Sequence, residues 1–212
     1  MSSYRSMNKK VRKILDQISV LEEDLRKELH EQEMQALFQL KGTKVLFERK
    51  VKLAHKRMKM GLIAWFRSSR PQNILSAPFI YMIILPLVFL DIFMTVYQAV
   101  CFRLYGIPAV NRSNYITLDR HRLGYLNLLE KINCDYCGYA NGLIAYVGEI
   151  AARTEQYWCP IKHARNVLSV HKRYPYFIDY GDATELHARF DSLRADLNRA
   201  IVDDENAKRI AR

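Results

Sequence analysis

From Ala77 to Phe102 the chain reads APFIYMIILPLVFLDIFMTVYQAVCF, 26 positions in which Asp91 is the only formally charged residue. A helix of about 20 apolar residues matches the hydrocarbon core of a bilayer. A soluble fold could hold such a run only as a hairpin buried in its core. The run lies too far along the chain for a cleaved signal peptide, and the first 15 residues are polar and basic. A membrane segment is therefore the expectation. The formal charge of +11 over 212 residues then acquires a partner, anionic lipid headgroups, with Lys52, Lys56, Arg57, Lys59, Arg67 and Arg70 on the near flank. Nucleic acid is disfavoured, because no recognition motif accompanies the charge. The tendency of spanning segments to keep Lys and Arg in the cytoplasm places the N-terminal segment there.

Pro86 sits near the middle of the run. Proline removes one helical hydrogen bond and clashes with the carbonyl four residues back, so it kinks or breaks a helix. Two geometries stay open. One kinked helix crosses the bilayer, or Ile74 to Leu85 dips in and Leu87 to Phe102 returns as a re-entrant hairpin. The far flank is also basic, with Arg103, Arg112, Arg120 and Arg122, which favours the hairpin, whereas its twelve-residue first limb is short for one. Asp91, Thr95 and Gln98 fall at i, i+4 and i+7 and share one helical face. An ionisable group at membrane depth is costly unless paired. This stripe is expected to meet a partner membrane protein or a lipid headgroup, or else to place Asp91 near the interface.

Ahead of the run, residues 7 to 41 carry Val11, Ile14, Ile18, Leu21 and Leu25 at spacings of three and four among many charges. The pattern predicts an amphipathic helix with a short coiled-coil seam that ends at Glu28, packed on its own neighbours or on a second copy of the chain. Gly42 punctuates, and a second basic helix is expected from Lys44 to Phe66. Trp65 and Phe66 beside Arg67 and Arg70 suit an interfacial anchor.

After the run, Gly106 and Pro108 stop the helix. Asp119 is a candidate N-cap for a helix over 120–133 with Leu123, Leu126, Leu129 and Ile132 on one face. Asn141-Gly142 signals a turn, and Leu143, Val147 and Ile150 mark a further helix over 143–157, antiparallel to the preceding one. Pro160 suits the first turn of a helix running through Val170. A break at Tyr174-Pro-Tyr176 leads to a last helix on Leu186, Phe190, Leu193 and Leu197. No strand pattern is evident, so the predicted class is all-α. Three parts follow: a basic helical segment at 1–72, a membrane segment at 73–105 and a helical Cys/His domain at 106–212.

Three of the four cysteines lie in CDYCGYANGLIAYVGEIAARTEQYWCPIKH, Cys134 to His163. The opening Cys134-Asp-Tyr-Cys137-Gly-Tyr resembles the metal-binding knuckle of rubredoxins and zinc ribbons over about six residues. In such a knuckle two thiolates bind one ion while backbone N–H groups point at the sulfurs. The second knuckle of those families is replaced here by Cys159-Pro-Ile-Lys-His163. The resulting candidate is a Cys3His site of Cys134, Cys137, Cys159 and His163, holding Zn²⁺ or, as an alternative, Fe. One unbroken helix between the half-sites would keep them about 22 Å apart, so the site requires a break, for instance at Gly148. A competing arrangement makes Cys159 a reactive thiol at the start of the Pro160 helix with His163 four residues on, and the CxxC a separate redox pair. A third treats the cysteines as packing residues. Glu149 and Arg153 at i, i+4 suit a surface ion pair. No Gly-rich phosphate loop, GxSxG or HExxH occurs, and the paired ExxH of di-iron proteins is missing. The expected function is a membrane-attached structural or interaction module built around a metal centre, with a membrane-bound thiol/disulfide or metal-dependent oxidoreductase as the alternative.

Overall fold

The computed structural model describes residues 13–14, 16–18, 20–29, 31, 38–41, 44–47 and 49–197. It is mostly helical, as the apolar periodicity predicts. The chain divides into two compact units. One holds the described residues up to Met60 together with Arg122–Asn127, and the other holds Gly61–His121 with the described residues from Leu128 onward.

In the first unit the described residues between 13 and 31 form a helix, α1. Its seam residues Ile14, Ile18, Leu21 and Leu25 are all exposed; Val11 lies outside the described residues. Two short strands depart from the all-helical expectation: β1 (Phe38–Lys41) pairs antiparallel with β2 (Lys44–Phe47), Leu40 opposite Val45 and Phe38 opposite Phe47. The helix expected from Lys44 therefore begins only at α2 (Arg49–Met58). His55 on α2 meets Tyr125 edge to face, with ring centres 4.9 Å apart.

The second unit begins with α3 (Leu62–Ser68) and α4 (Pro71–Met82). Arg70 is extended and Pro71 opens α4, where a missing N–H costs nothing. Helix α5 (Ile84–Tyr97) follows after a single residue. Pro86 cannot donate to the Met82 carbonyl, and the break falls there: the Ile83 N–H bonds to Ile80 O at 3.3 Å in a tightened turn. Ile83 keeps helical angles (φ −63°, ψ −19°), so the chain kinks and continues, and the re-entrant hairpin is not what forms. A π-turn (Gln98–Phe102) and α6 (Arg103–Tyr105) complete a helical run of 35 residues from Pro71 to Tyr105.

Gly106, at φ +65°, ends the run in the left-handed conformation that glycine adopts without strain. The Ile107 N–H closes back onto Phe102 O at 2.8 Å, and both of those side chains are buried, which is a Schellman cap with its apolar contact. Residues 107–119 then run back beside α5, so that Val110 lies at Gln98 and Arg112 at Asp91.

The largest departure from expectation is α7 (Leu128–Trp158), a single helix of 31 residues where two antiparallel helices were anticipated. Asn141-Gly142 is not a turn. Gly142 is buried inside α7 because the returning segment crosses it: a Cβ there would lie 2.5 Å from Tyr115 O and 3.0 Å from Ile116 Cα. Asp119 likewise caps no long helix, since Arg120–Arg122 is only a 3₁₀ turn. Helix α7 runs parallel to α4 and α5, its residues 133, 139, 146 and 157 meeting 81, 91, 98 and 105 in turn. Leu87, Phe102, Ile107, Val110, Leu143, Tyr146, Ile150 and Leu197 form the core between them.

The helix expected from Pro160 to Val170 is also absent. Ile161 instead forms a parallel bridge with Ile178, through Ile178 N–H to Pro160 O at 2.9 Å and Lys162 N–H to Ile178 O at 2.8 Å. This non-local pairing takes the Pro160 carbonyl, which a helix starting there would use for its first hydrogen bond. The last helix, α8 (described over 186–197), packs through Leu186, Phe190, Leu193 and Leu197, as its spacing predicts.

Candidate functional site

The unbroken α7 decides the fate of the Cys/His cluster. Cys134 and Cys137 lie one turn apart within it, and Cys159 follows its last residue. From Cys137 to Cys159 the helix rises about 33 Å, whereas zinc–ligand bonds are about 2 Å. The two halves of the Cys3His set are not brought together. Among the described residues no group of three or more His, Cys, Asp and Glu side chains is placed to hold a metal ion. All four cysteines are free thiols, Cys101 and Cys134 half-buried, Cys137 and Cys159 exposed. Cys159 stands at the C-terminal end of α7, with no helix after it, so the helix N-terminus invoked for a reactive thiol is missing. His163 is exposed; its ring stacks on Tyr174 at 5.9 Å and its backbone N–H donates to the Tyr174 hydroxyl at 2.6 Å.

The polar stripe on α5 is engaged within the chain. Asp91 Oδ2 accepts from Arg112 Nη2 at 2.6 Å and from the Tyr139 hydroxyl at 2.9 Å. Gln98 Oε1 accepts the Val110 N–H at 2.7 Å, while Nε2 donates to Val110 O at 3.3 Å and to the Tyr146 hydroxyl at 3.2 Å. The Gln98 amide thereby acts as a strand partner for one residue of the returning segment, which has no ladder of its own there. Thr95 is exposed. The stripe thus faces inward at two of its three positions.

A second polar network lies at the far half of α7. The pair Glu149–Arg153 was anticipated as a surface couple, yet Arg153 is buried, donates to Glu149 at 2.8 Å and donates to Pro108 O at 2.7 Å. Arg173 adds a second guanidinium to the same Glu149 oxygen at 2.8 Å and reaches Gln156 at 3.3 Å. Burial pushes the Glu149 carboxyl up, but the hydrogen bonds from Arg153 and Arg173 outweigh it and hold the group below its usual value of 4.5. Glu155 meets His171 at 2.9 Å, and Gln156 donates to Leu193 O at 2.8 Å. Each of these carboxylates is taken by groups of the same chain, so the network clamps the C-terminal segment onto α7 and presents no free base. Arg173 was not singled out from the sequence, since nothing local links it to a residue 24 positions earlier.

The outward side of the Pro71–Tyr105 run is the most distinctive surface. Leu75 is 77 % exposed, Phe79 68 %, Phe89 61 %, Phe93 69 % and Leu104 74 %. At about 100° per residue, Phe89, Phe93, Val96 and Val100 lie on the side opposite Asp91 and Gln98. The buried positions form only a narrow seam around Leu87 and Phe102. The run is long and apolar enough to cross a membrane. Aromatic and cationic residues flank it at both ends: Trp65, Phe66, Arg67 and Arg70 at one, and Tyr105 against Tyr157 and Trp158 at the other, with Arg194 over the Tyr157 ring at 5.1 Å. No protein-family model, curated protein or solved structure matches the chain.

Proposed function

We propose that the protein is a membrane-attached helical module with a structural or interaction role, seated through the outward face of α4 and α5. The observation that carries this is the exposed apolar surface from Ile74 to Leu104, far larger than the scattered apolar residues of a soluble surface. The basic residues at both ends give it anionic headgroups as partners, and because the cytoplasmic leaflet is the anionic one, the N-terminal segment is assigned to the cytoplasm. The exposed seam of α1 supplies a surface for a second copy of the chain or another helix. Neither a zinc centre nor a Cys159 thiol centre is part of this proposal: Cys134 and Cys137 lie far along α7 from Cys159, and no helix begins at Pro160.

Flotation of the purified chain with lipid vesicles tests it. The chain is expected to rise with vesicles containing phosphatidylglycerol, more weakly with pure phosphatidylcholine. Phe89→Glu with Phe93→Glu should abolish flotation without unfolding the chain. A wild-type chain that stays at the bottom of the gradient with both vesicles contradicts the proposal.

A further inference from the structure

We infer that the Pro71–Tyr105 run lies along one leaflet of the bilayer, its outward face sunk into the acyl boundary, and does not cross it. This rests on the membrane attachment proposed above and adds how the helix sits.

Length is the first ground. Exposed apolar side chains extend from Ile74 to Leu104, which at 1.5 Å per residue is about 45 Å of helix. A hydrocarbon core of about 30 Å would hold that length only at a tilt of about 50°, beyond the usual 0–40°. A helix in the plane of the membrane meets no such limit.

The second ground is the returning segment. Asn111, Arg112, Ser113 and Asn114 are exposed, three of them on a single 3₁₀ turn set between stretches of irregular backbone, and Arg112 is held by Asp91 near the middle of the run. Lipid-exposed irregular backbone does not occur within the hydrocarbon region, so a crossing would put this polar stretch where it is least tolerated. With the run in the plane and its apolar face down, the same stretch, held on the opposite side of α5 by Asp91 and Gln98, faces water.

The flanks agree. Both ends of the run are basic, and a crossing segment would have to divide these cations between two interfaces that differ in their preference for Lys and Arg. Because the chain kinks at Ile83 without reversing, a hairpin cannot return both ends to one side. An in-plane helix sets Arg67 and Arg70 at one end and Arg103 at the other against the same anionic leaflet.

The test is depth measured by fluorescence quenching with brominated lipids in phosphatidylglycerol-containing vesicles. The full chain carries Trp65→Phe and Trp158→Phe, and one tryptophan is introduced at a time by Leu75→Trp, Phe89→Trp or Leu104→Trp, all at exposed positions. The in-plane arrangement predicts one common shallow depth, about 5–10 Å below the headgroups. A profile in which position 89 lies about 15 Å deeper than positions 75 and 104, half a hydrocarbon core, overturns the inference while leaving attachment intact. Failure of all three variants and of the wild-type chain to float with the vesicles removes the attachment and the inference with it. Native-like circular dichroism of each variant in detergent separates that failure from misfolding.

Discussion

Helices α5 and α7 lie side by side and parallel, yet they use their side chains in opposite ways. α5 buries a narrow seam and exposes Phe89, Phe93 and Val96; α7 buries Leu143, Tyr146, Ile150, Arg153 and Gln156, and its exposed large apolar side chains, Leu128, Ile132, Ile144 and Trp158, are scattered along its 31 residues. Stability of the second unit is therefore concentrated on α7 and its clamps, and surface chemistry on α5. Substitutions on the two helices should separate cleanly, one set unfolding the chain and the other changing only what it adheres to.

The largest effect belongs to the buried cation. Arg153→Ala leaves Pro108 O without a donor and removes one of two cations from Glu149. Breaking a well-buried pair costs about 3–5 kcal/mol, and the remaining Arg173 should bring this nearer to about 3 kcal/mol. Denaturant unfolding in detergent measures it; a change below about 1 kcal/mol would show that α7 is not where the stability resides.

Gly142→Ala comes next. Its methyl would meet Tyr115 O at 2.5 Å, and because the obstacle is backbone, the returning segment has to shift, at a cost of about 1–3 kcal/mol. Gly148 has open space around the same position, so Gly148→Ala should be neutral or slightly stabilising through helix propensity. The pair of variants separates the close approach at Gly142 from any general intolerance of α7 to substitution.

Acid should loosen the same clamp. Since the folded-state Glu149 carboxyl sits below its usual value of 4.5, the unfolded chain binds the proton more readily. The contribution is present in full above the usual value and is lost as the pH falls through the depressed one. Stability should drop on acidification through that window, and Arg173→Gln, which removes one of the two lowering partners, should flatten the dependence. Asp182, held down at about 2 by Arg189 and the Thr184 N–H, contributes with the same sign.

What could be foreseen from the residues was whatever is set within a few positions. The apolar run, its kink around Pro86, its stop at Gly106 and the amphipathic face of α8 all follow from local spacing. Gly142 misled because glycine after asparagine reads as a turn, whereas here it clears a path for residues 115 and 116, whose arrival no local pattern announces. The Ile161–Ile178 bridge was hidden for the same reason, being made by partners apart in the chain, whereas the β1–β2 pairing is local and was missed because two four-residue strands are too short to show an alternating pattern. The Cys/His cluster was legible as a motif and misplaced as a site, since its convergence depended on a break in α7 that the packing of Leu143, Tyr146 and Ile150 does not permit. Asp91 and Gln98 were found by their polarity in an apolar run; that their partners would be Arg112, Tyr139, Val110 and Tyr146 required the return of the chain.

The smallest effect on folding should come from the outward face of α5, and it bears hardest on the contrast between the helices. Phe93→Ser removes an aromatic ring that is 69 % exposed and touches little of the core, so unfolding in detergent should change by no more than about 0.5 kcal/mol. Inward-facing Leu87→Ser on the same helix should cost several times as much, since it strips a core contact and leaves a hydroxyl there. Vesicle flotation should rank the two variants the other way, with Phe93→Ser weakened and any Leu87→Ser that folds retained. If both variants shift both measurements in step, α5 does not divide its faces between core and surface, and the outward residues belong to a packing contact of their own.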